Sequence, residues 1–559
     1  MNVKNLINEL IKLNIHIRVQ EAELHIYGSK ENITPEIIAR IKMHKAELLD
    51  FLGAGETKKH LLANIPIAGK QECYPISSTQ GRLWLLSQTE EGNVAYNLSG
   101  TYVFEGELDQ KSFALSLNTL VKRHESLRTC FKEDEEGEVK QFIADEKEFV
   151  LQTTDLRNEK QQEKQLNELL DNSMFQPFDL SKAPLLRAGL YQLQEQKWIF
   201  NYVMHHIISD GWSMMILIEE LMQLYNAYSE GKTNPLQPLR IQYKDYAAWQ
   251  KEQLSGETLK QHKNYWLNQF EGELPVLNFP TDKTRPLFQT HHGGKVGKRI
   301  SESTTTQLRK VCRETGSTVF MGLLSAVTIL LHRYTDQEDI VIGSPIAGRE
   351  HADLEGQIGC YLNTLALRMK FSGKDSFKKV LAGAKQLMLG AYEHQVFPFD
   401  ELINQLPIKQ DRSRNPLFDV SVVLQNTDLS TGKKQQLGDL KVSQYEEITE
   451  SNSKFDLSFN FAEVEQEIQV HLVYNTDIYF ENTAIRLMDH FEQLLVSMLS
   501  FPDTSINLLD FLTNAEKTQL LEEFNDVRFS YPKEKTIMEL FEEQVIKSPD
   551  AIALAFDGK

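Results

Sequence analysis

From Tyr74 to about Ser500 the chain shows no low-complexity break, no internal repeat and no long run of one charge. Strand-like alternation and amphipathic helices mix throughout that stretch, which confines it to a large α/β (α+β) body of one or two lobes. At 559 residues the whole chain exceeds one compact core, and roughly 150 residues per domain predicts about three or four units. Composition removes several functional classes. Sixty Lys+Arg against 79 Asp+Glu leave a formal charge of −19. So acidic a surface repels phosphate backbones, which sets aside nucleic acid and anionic membranes as partners. Cys73, Cys130, Cys312 and Cys360 lie far apart without CxxC or CxxH spacing, so neither a disulfide framework nor a metal site is expected. Lys4, Glu9 and Lys12 interrupt the first apolar residues, unlike a secretory signal. The longest apolar run, Val319 to Leu331, is broken by Gly322, Ser325 and Thr328 and falls short of the roughly 20 residues that span a bilayer. A cytoplasmic multi-domain protein is the expectation.

Residues 1–52 read as a small unit of their own. Leu6, Leu10 and Leu13, with Ile7 and Ile11, mark a helix with a wide apolar face. Ile15 to Val19 and Leu24 to Ile26 alternate as two short strands, with Gln20 to Glu23 as the turn. Thr34-Pro35-Glu36 is a helix start, Thr as cap and Pro in the first helical position, and the apolar pattern continues to about Leu52. Such a hairpin has an open edge that could accept a further strand; a small folded cap without a partner is the plainer alternative. A linker is expected over 53–72, and Asp282 to Pro286 is an internal loop near a lobe boundary. After Phe501-Pro502 two amphipathic helices, Asn514 to Phe524 and Thr536 to Lys547, flank Tyr531-Pro532, and the chain stops at Lys559 in what reads as the middle of a hairpin.

The sharpest local signal is His205-His206-Ile-Ile-Ser-Asp210-Gly211-Trp212-Ser213. Trp198 to Met204 is aromatic and β-branched, a buried strand, whereas Met214, Leu217, Ile218, Leu221 and Tyr225 recur at helical spacing. The histidines therefore sit where a strand gives way to a loop and a helix, a place that aims side chains into clefts. In acyl transfer an imidazole takes or holds a proton of the nucleophile. Asp210 can accept from an arginine and hold the loop, and Gly211 offers close backbone approach, positive φ or an N–H toward an oxyanion. Paired histidines at a strand end can also be plain core-edge residues. A second pair, His291-His292, has no carboxylate at the same offset and reads as a solvated loop; the glycines from Gly293 to Lys298 lack the spacing of a phosphate loop.

The HHxxxDG stretch resembles the signature of the condensation domains of nonribosomal peptide synthetases. Further blocks stand in that family's order: Ser78-Thr-Gln-Gly-Arg82-Leu-Trp84, Arg123 to Arg128, Tyr243 to Trp249, Ile342 to Arg349, Ile358 to Arg368, His394 to Phe399 and Arg414-Asn415-Pro-Leu-Phe418. The resemblance implies two chloramphenicol-acetyltransferase-like lobes in a V-shaped pseudo-dimer, residues 73–500, with an N-lobe over about 73–250 and a C-lobe over about 251–500. It implies an acyltransferase that joins a carrier-bound amine to an upstream carrier-bound thioester. His206 would act by proton transfer or by positioning, with His205, Asp210 and Gly211 beside it. By the same analogy Arg349 would pair with Asp210, Asn415 would face the channel, and Trp212, Ser213 and Arg82 would support. Histidines where cyclisation domains carry aspartates argue against ring formation, and Arg82-Leu83-Trp84 resembles the subtype that accepts an L-configured donor. The first 52 residues resemble front docking domains of an αββα(α) pattern, ending in Lys45 to Leu49. There the second hairpin strand, Leu24, His25, Ile26 and Tyr27, would receive the C-terminal tail of an upstream synthetase, with Arg18, Arg40, Lys42 and Lys45 available to an acidic tail. Residues 501–559 resemble a linker and the opening of an adenylation domain. No cofactor would be bound by this chain; phosphopantetheine arms of donor and acceptor carriers would tether its substrates. The rival readings are an inactive platform that recruits carriers or tailoring enzymes, and O-acylation of a small alcohol.

Overall fold

The computed structural model describes residues 16–20, 23–27, 35–43, 45, 65–254, 256–408, 411–425, 436–437, 440–445, 451–526 and 532–556. The chain divides into two compact units, Met1–Asp510 and Phe511–Lys559.

At the front of the first unit, His16–Gln20 and Glu23–Tyr27 pair antiparallel, with His16 opposite Tyr27 and Gln20 opposite Glu23. They form a two-stranded sheet of their own. The helix Pro35–Met43 begins at the expected proline and buries Ile37 and Ile41. Lys42 and Lys45 are exposed and Arg40 is half-buried. The helix expected over Leu6 to Leu13 lies outside the described residues. Of the 53–72 linker, the part from Ile65 packs as body. Ile65 is buried among Ile241, Tyr243, Tyr246 and Tyr361, and Ala68 N donates to Asp245 Oδ1 at 2.8 Å.

The body is built on two large sheets. One orders its strands Gln436–Leu437, Leu440–Gln444, Asn97–Glu105, Lys197–His205, Leu186–Gln194 and Gln152–Asp155. The strand Lys197–His205 is buried on both faces from Trp198 onward. Its even residues Phe200 and Tyr202 pack with Phe104 and Phe113. Its odd residue Ile199 packs on Leu166 and Leu170, the stripe of the helix Gln162–Phe175. This double burial explains why the stretch reads as a continuous apolar run. Its one side-chain amide, Asn201, donates through Nδ2 to Thr101 Oγ1 at 2.9 Å. Gly100 is needed opposite, since a Cβ there would stand 2.6 Å from the Tyr202 ring.

The second sheet orders Asn363–Lys370, Asp339–Ile346, Val420–Gln425, Leu457–Val464, Glu467–Asn475, His292–Ile300 and Ser451–Asn452. The apolar run near residue 320 is its core helix, Val319–Thr335, buried from Met321 to His332. Among the described residues no single helix is long and apolar enough to cross a membrane.

Two boundaries differ from the sequence reading. Leu440–Gln444 lies in the second half of the chain yet pairs antiparallel with Asn97–Glu105 of the first sheet, so the division near residue 250 is not clean. The compact unit closes at Asp510 and not at 500, because Ile506 and Leu509 are buried and Ile506 O accepts from Arg333 Nη1 at 3.0 Å. His292 is also no loop residue: it opens a nine-residue strand, whose glycines accommodate the rings of Tyr474 and His471.

In the second unit the helix Asn514–Thr518 runs into a wider turn, Gln519–Glu523, and Ile537–Lys547 forms another helix. Reciprocal caps start both helices, Thr513 with Glu516 and Thr536 with Glu539.

Candidate active site

Strand alternation separates the two histidines. His205 is the last residue of its strand, continues the odd face and is fully buried against Phe178. Ile207 N donates to its Nδ1 at 3.2 Å, and its Nε2 lies 3.2 Å from Ser87 Oγ. Ser87 Oγ already donates to Leu83 O, so it accepts from Nε2–H, and both ring nitrogens are used. Burial pushes the His205 pKa down to about 3. This ring is neutral, saturated and absent from the cavity lining; the expected catalytic role gives way to a structural one.

His206 begins a short helical turn, His206–Ile208, and swings to the other side. Its N donates to Tyr96 O at 2.8 Å and Ser209 N donates to its carbonyl. Gln80 Nε2 holds the turn through Ile207 O at 3.2 Å. The ring lies edge-on to Tyr96 and its Nδ1 is 3.8 Å from Cys360 Sγ, which leaves Nε2 for a ligand. Burial, and then the Lys454 charge, hold the His206 pKa well below its usual value.

Asp210 caps the helix Gly211–Ser229 through Ser213 N at 2.7 Å. It is fully buried. Arg349 Nη2 lies 3.0 and 3.2 Å from its two oxygens, and Tyr361 N donates to Oδ2 at 3.1 Å. Ser213 Oγ accepts from Gly359 N and Arg349 Nη2, and Arg349 Nη1 donates to Gln357 O. The guanidinium also covers the Tyr361 ring at 4.2 Å. Trp212 is partly exposed and ties down the neighbouring segment through Glu355 O at 3.0 Å. Asp210, Ser213, Arg349 and Trp212 thus clamp the two halves of the body behind the histidine and do not line its cavity. Gly211 differs from expectation. It is the exposed first residue of the helix, its φ lies outside the left-handed region, and a Cβ there would meet nothing within 4 Å. Neither strain nor close packing requires glycine at that position, and it does not face the cavity.

The cavity itself measures about 310 Å³ and opens between the sheets. One side supplies Thr79, Arg82, Tyr96 and His206; the other supplies Cys360, Asn363, Asp400, Ser421, Asn452, Lys454 and Asn460. Of the residues picked out from sequence, His206 and Arg82 come together here. Arg82 Nε stands 3.5 Å from Asp400 Oδ1 and its guanidinium covers Phe399. Asn415 does not line the cavity; its Nδ2 donates to Lys454 O at 3.1 Å.

Lys454 is the residue that sequence reasoning missed. It stands between Ser451–Asn452 and Leu457–Val464, a lone lysine in a loop with no motif around it. Its Nζ lies 5.1 Å from the Tyr96 ring, and burial lowers its pKa to about 8. The second histidine pair serves this segment: His291 Nδ1 is 3.0 Å from Ser453 O. Among the described residues no group of three or more His, Cys, Asp or Glu is arranged to hold a metal ion.

Comparison with known proteins agrees with this architecture. Residues 70–521 match the condensation domain family, and residues 3–53 match the TubC N-terminal docking domain. Gramicidin S synthase 2 of Brevibacillus brevis is 40% identical over 514 residues, 92% of this chain but 11% of that protein's length. Among solved structures, a four-domain nonribosomal peptide synthetase bound to AMP and glycine superposes with a TM-score of 0.75 at 21% identity, over 88% of this chain and 38% of that one. The X-domain from teicoplanin biosynthesis superposes with a TM-score of 0.74 at 25% identity, over 80% of this chain and all of that one. A chloramphenicol-acetyltransferase-like body, a histidine ending its central strand and a family match over most of the length place the chain among the condensation domains of nonribosomal peptide synthetases, the acyltransferases that form amide bonds, here preceded by a docking domain.

Proposed function

We propose that this chain joins two substrates that arrive on phosphopantetheine arms of separate carriers. The α-amine of the acceptor attacks the thioester of the donor, leaving an amide on the acceptor and a free thiol on the donor carrier. The observation that supports this most is the His206 ring, uncharged and with one nitrogen unengaged, facing a cavity large enough for the reacting ends. A buried imidazole with a depressed pKa is a weak base. An α-amine titrates at roughly 7.7–8.0, so a useful fraction is neutral near pH 7 without help. His206 therefore acts by holding the amine through Nε2 and orienting its lone pair, since orientation contributes as much as proton transfer.

Donor recruitment falls to the front hairpin. Glu23–Tyr27 is paired on one side by His16–Gln20 and, among the described residues, by nothing on the other. The tail of an upstream synthetase adds there as a strand, with specificity from Leu24, His25, Ile26 and Tyr27 and charge from Arg18, Arg40, Lys42 and Lys45. The resemblance of residues 501–559 to the opening of an adenylation domain and of Arg82-Leu83-Trp84 to the L-accepting subtype supports a chain that works ahead of an adenylation domain, on an L-configured donor, in the cytoplasm.

Intact-protein mass spectrometry tests the whole reading. A donor-loaded carrier bearing the upstream tail is mixed with an aminoacyl-loaded acceptor carrier and this chain. Transfer of the acyl mass, lost in His206→Ala and weakened by deleting residues 1–52, supports it; carrier binding without transfer across a range of L-donors supports the recruiting platform instead.

A further inference from the structure

Lys454 lines the reaction cavity. Among the described residues no carboxylate pairs with its ammonium, because Asp400, which shares the cavity, is engaged by Arg82. The titratable and charged groups around it are Tyr96, Cys360, His205, His206, His291, Arg82 and Asp400. Burial raises the Tyr96 and Cys360 pKa values and lowers that of His206, so all three are neutral near pH 7. The segment is held firmly: Lys454 O accepts from Gln289 Nε2 at 3.0 Å and from Asn415 Nδ2 at 3.1 Å. Lys454 is half-buried, and partial removal of a cation from water without a partner carries a cost; here it falls at a position that looks into the space where substrate must sit.

We propose that Lys454 is a catalytic residue, its ammonium receiving the negative charge that develops on the donor carbonyl oxygen while His206 holds the attacking amine. This rests on the amide-forming reading above. As the amine nitrogen bonds to the thioester carbon, the carbonyl π pair moves onto oxygen and the nitrogen becomes positive. When the oxygen pair returns, the C–S bond breaks, and the proton leaving nitrogen ends on the departing thiolate. Nothing is oxidised or reduced. The two charges of the intermediate have matching hosts: an imidazole nitrogen accepts from the ammonium side, and a fixed cation faces the oxyanion. In a cavity partly walled off by protein such a preformed charge is worth more than in bulk solvent. A fall of the Lys454 pKa to about 8 leaves it mostly charged at neutral pH, and an adjacent oxyanion favours that charged form further.

The test compares wild type, Lys454→Met and Lys454→Arg in single-turnover transfer between loaded carriers, at pH values on both sides of 8. Lys454→Met keeps the apolar stem and removes the charge. Its transfer rate should fall by roughly 10²–10³-fold, the usual loss of one oxyanion partner, with the dependence on carrier concentration unchanged. Its unfolding midpoint should be no lower than wild type, since a half-buried charge that meets no carboxylate among the described residues has been removed. Lys454→Arg should recover most of the rate. The wild-type to Lys454→Arg ratio, which cancels the acceptor amine's own titration, should decline as pH rises through the lysine's pKa. Lys454→Met transferring within about threefold of wild type, or a ratio flat with pH, overturns this inference alone. No transfer by wild type overturns the amide-forming reading and this inference with it.

Discussion

At His205–His206 a strand buried on both faces runs out into a turn and a capped helix; at His291–His292 a strand begins near the surface with one ring half-buried and the next exposed. The dipeptides are identical, and in each the two rings part to different surroundings. His205 is consumed by Ser87 and Ile207 N, His206 is left facing a cavity, His291 meets Ser453 O, and His292 meets Asp477 at 2.8 Å. What separates the pairs is the sequence that follows. Asp210 supplies a helix cap and a partner for Arg349, and this clamp holds the His206 turn against the second half of the body. No such carboxylate follows His291, whose ring meets the loop carbonyl of Ser453. A histidine pair acquires chemistry here from the architecture that pins one member over empty space.

Substitutions test that contrast in descending order of effect. His206→Ala should lower acyl transfer by roughly 10²–10⁴-fold while moving the unfolding midpoint little, because its ring borders a space that already exists. A wild-type rate would remove the distinction between the pairs. Asp210→Ala leaves the Arg349 guanidinium buried without its carboxylate and should cost about 3–5 kcal/mol of stability, read by urea unfolding; a change near zero would mean that the clamp is not what holds the turn. His205→Leu should cost about 1–3 kcal/mol, since Ile207 N and Ser87 Oγ lose their partner, and folded enzyme should keep transferring.

His205 also predicts a pH dependence with a definite sign. Its folded pKa lies near 3, below the roughly 6.5 of an unfolded histidine, so between those values the unfolded chain binds more protons. Stability is fully present above about 6.5 and is lost as pH falls toward 3. The slope of stability against pH over that range should be shallower in His205→Leu; equal slopes would mean that the ring is not buried neutral. The smallest effect belongs to His292→Ala. Its ion pair with Asp477 is mostly exposed, and its loss should change stability by less than about 1 kcal/mol.

The contrast also shows where the sequence was readable. The switch from two-residue to helical spacing across His205–Gly211 located the strand end, and the proline-led helix at Pro35 and the hairpin before it were equally plain. Which histidine faced the cavity depended on the strand's alternation meeting a one-turn helix, and local pattern does not resolve that. Gly211 was misleading because a glycine can mark strain or merely the open first turn of a helix, where it stands. Lys454 left no periodic or motif signal. It reaches the site because Ser451–Asn452 pairs with His292 and Gly293, and Leu457–Val464 pairs with its neighbours, long-range contacts that no window of sequence displays.

The strand Leu440–Gln444, laid against Tyr102–Glu105, has a consequence for how the protein is made. Lys441 follows its ion-pair partner Glu105 by 336 residues, so at roughly 5–20 residues per second the ribosome leaves that sheet edge unoccupied for tens of seconds. During that interval the nascent chain carries an open row of amides and carbonyls that any passing strand can occupy. Chains arrested before Leu440 should exchange amide hydrogens along Tyr102–Glu105 that the completed chain protects, and synthesis slowed after residue 105 should favour aggregation over folding.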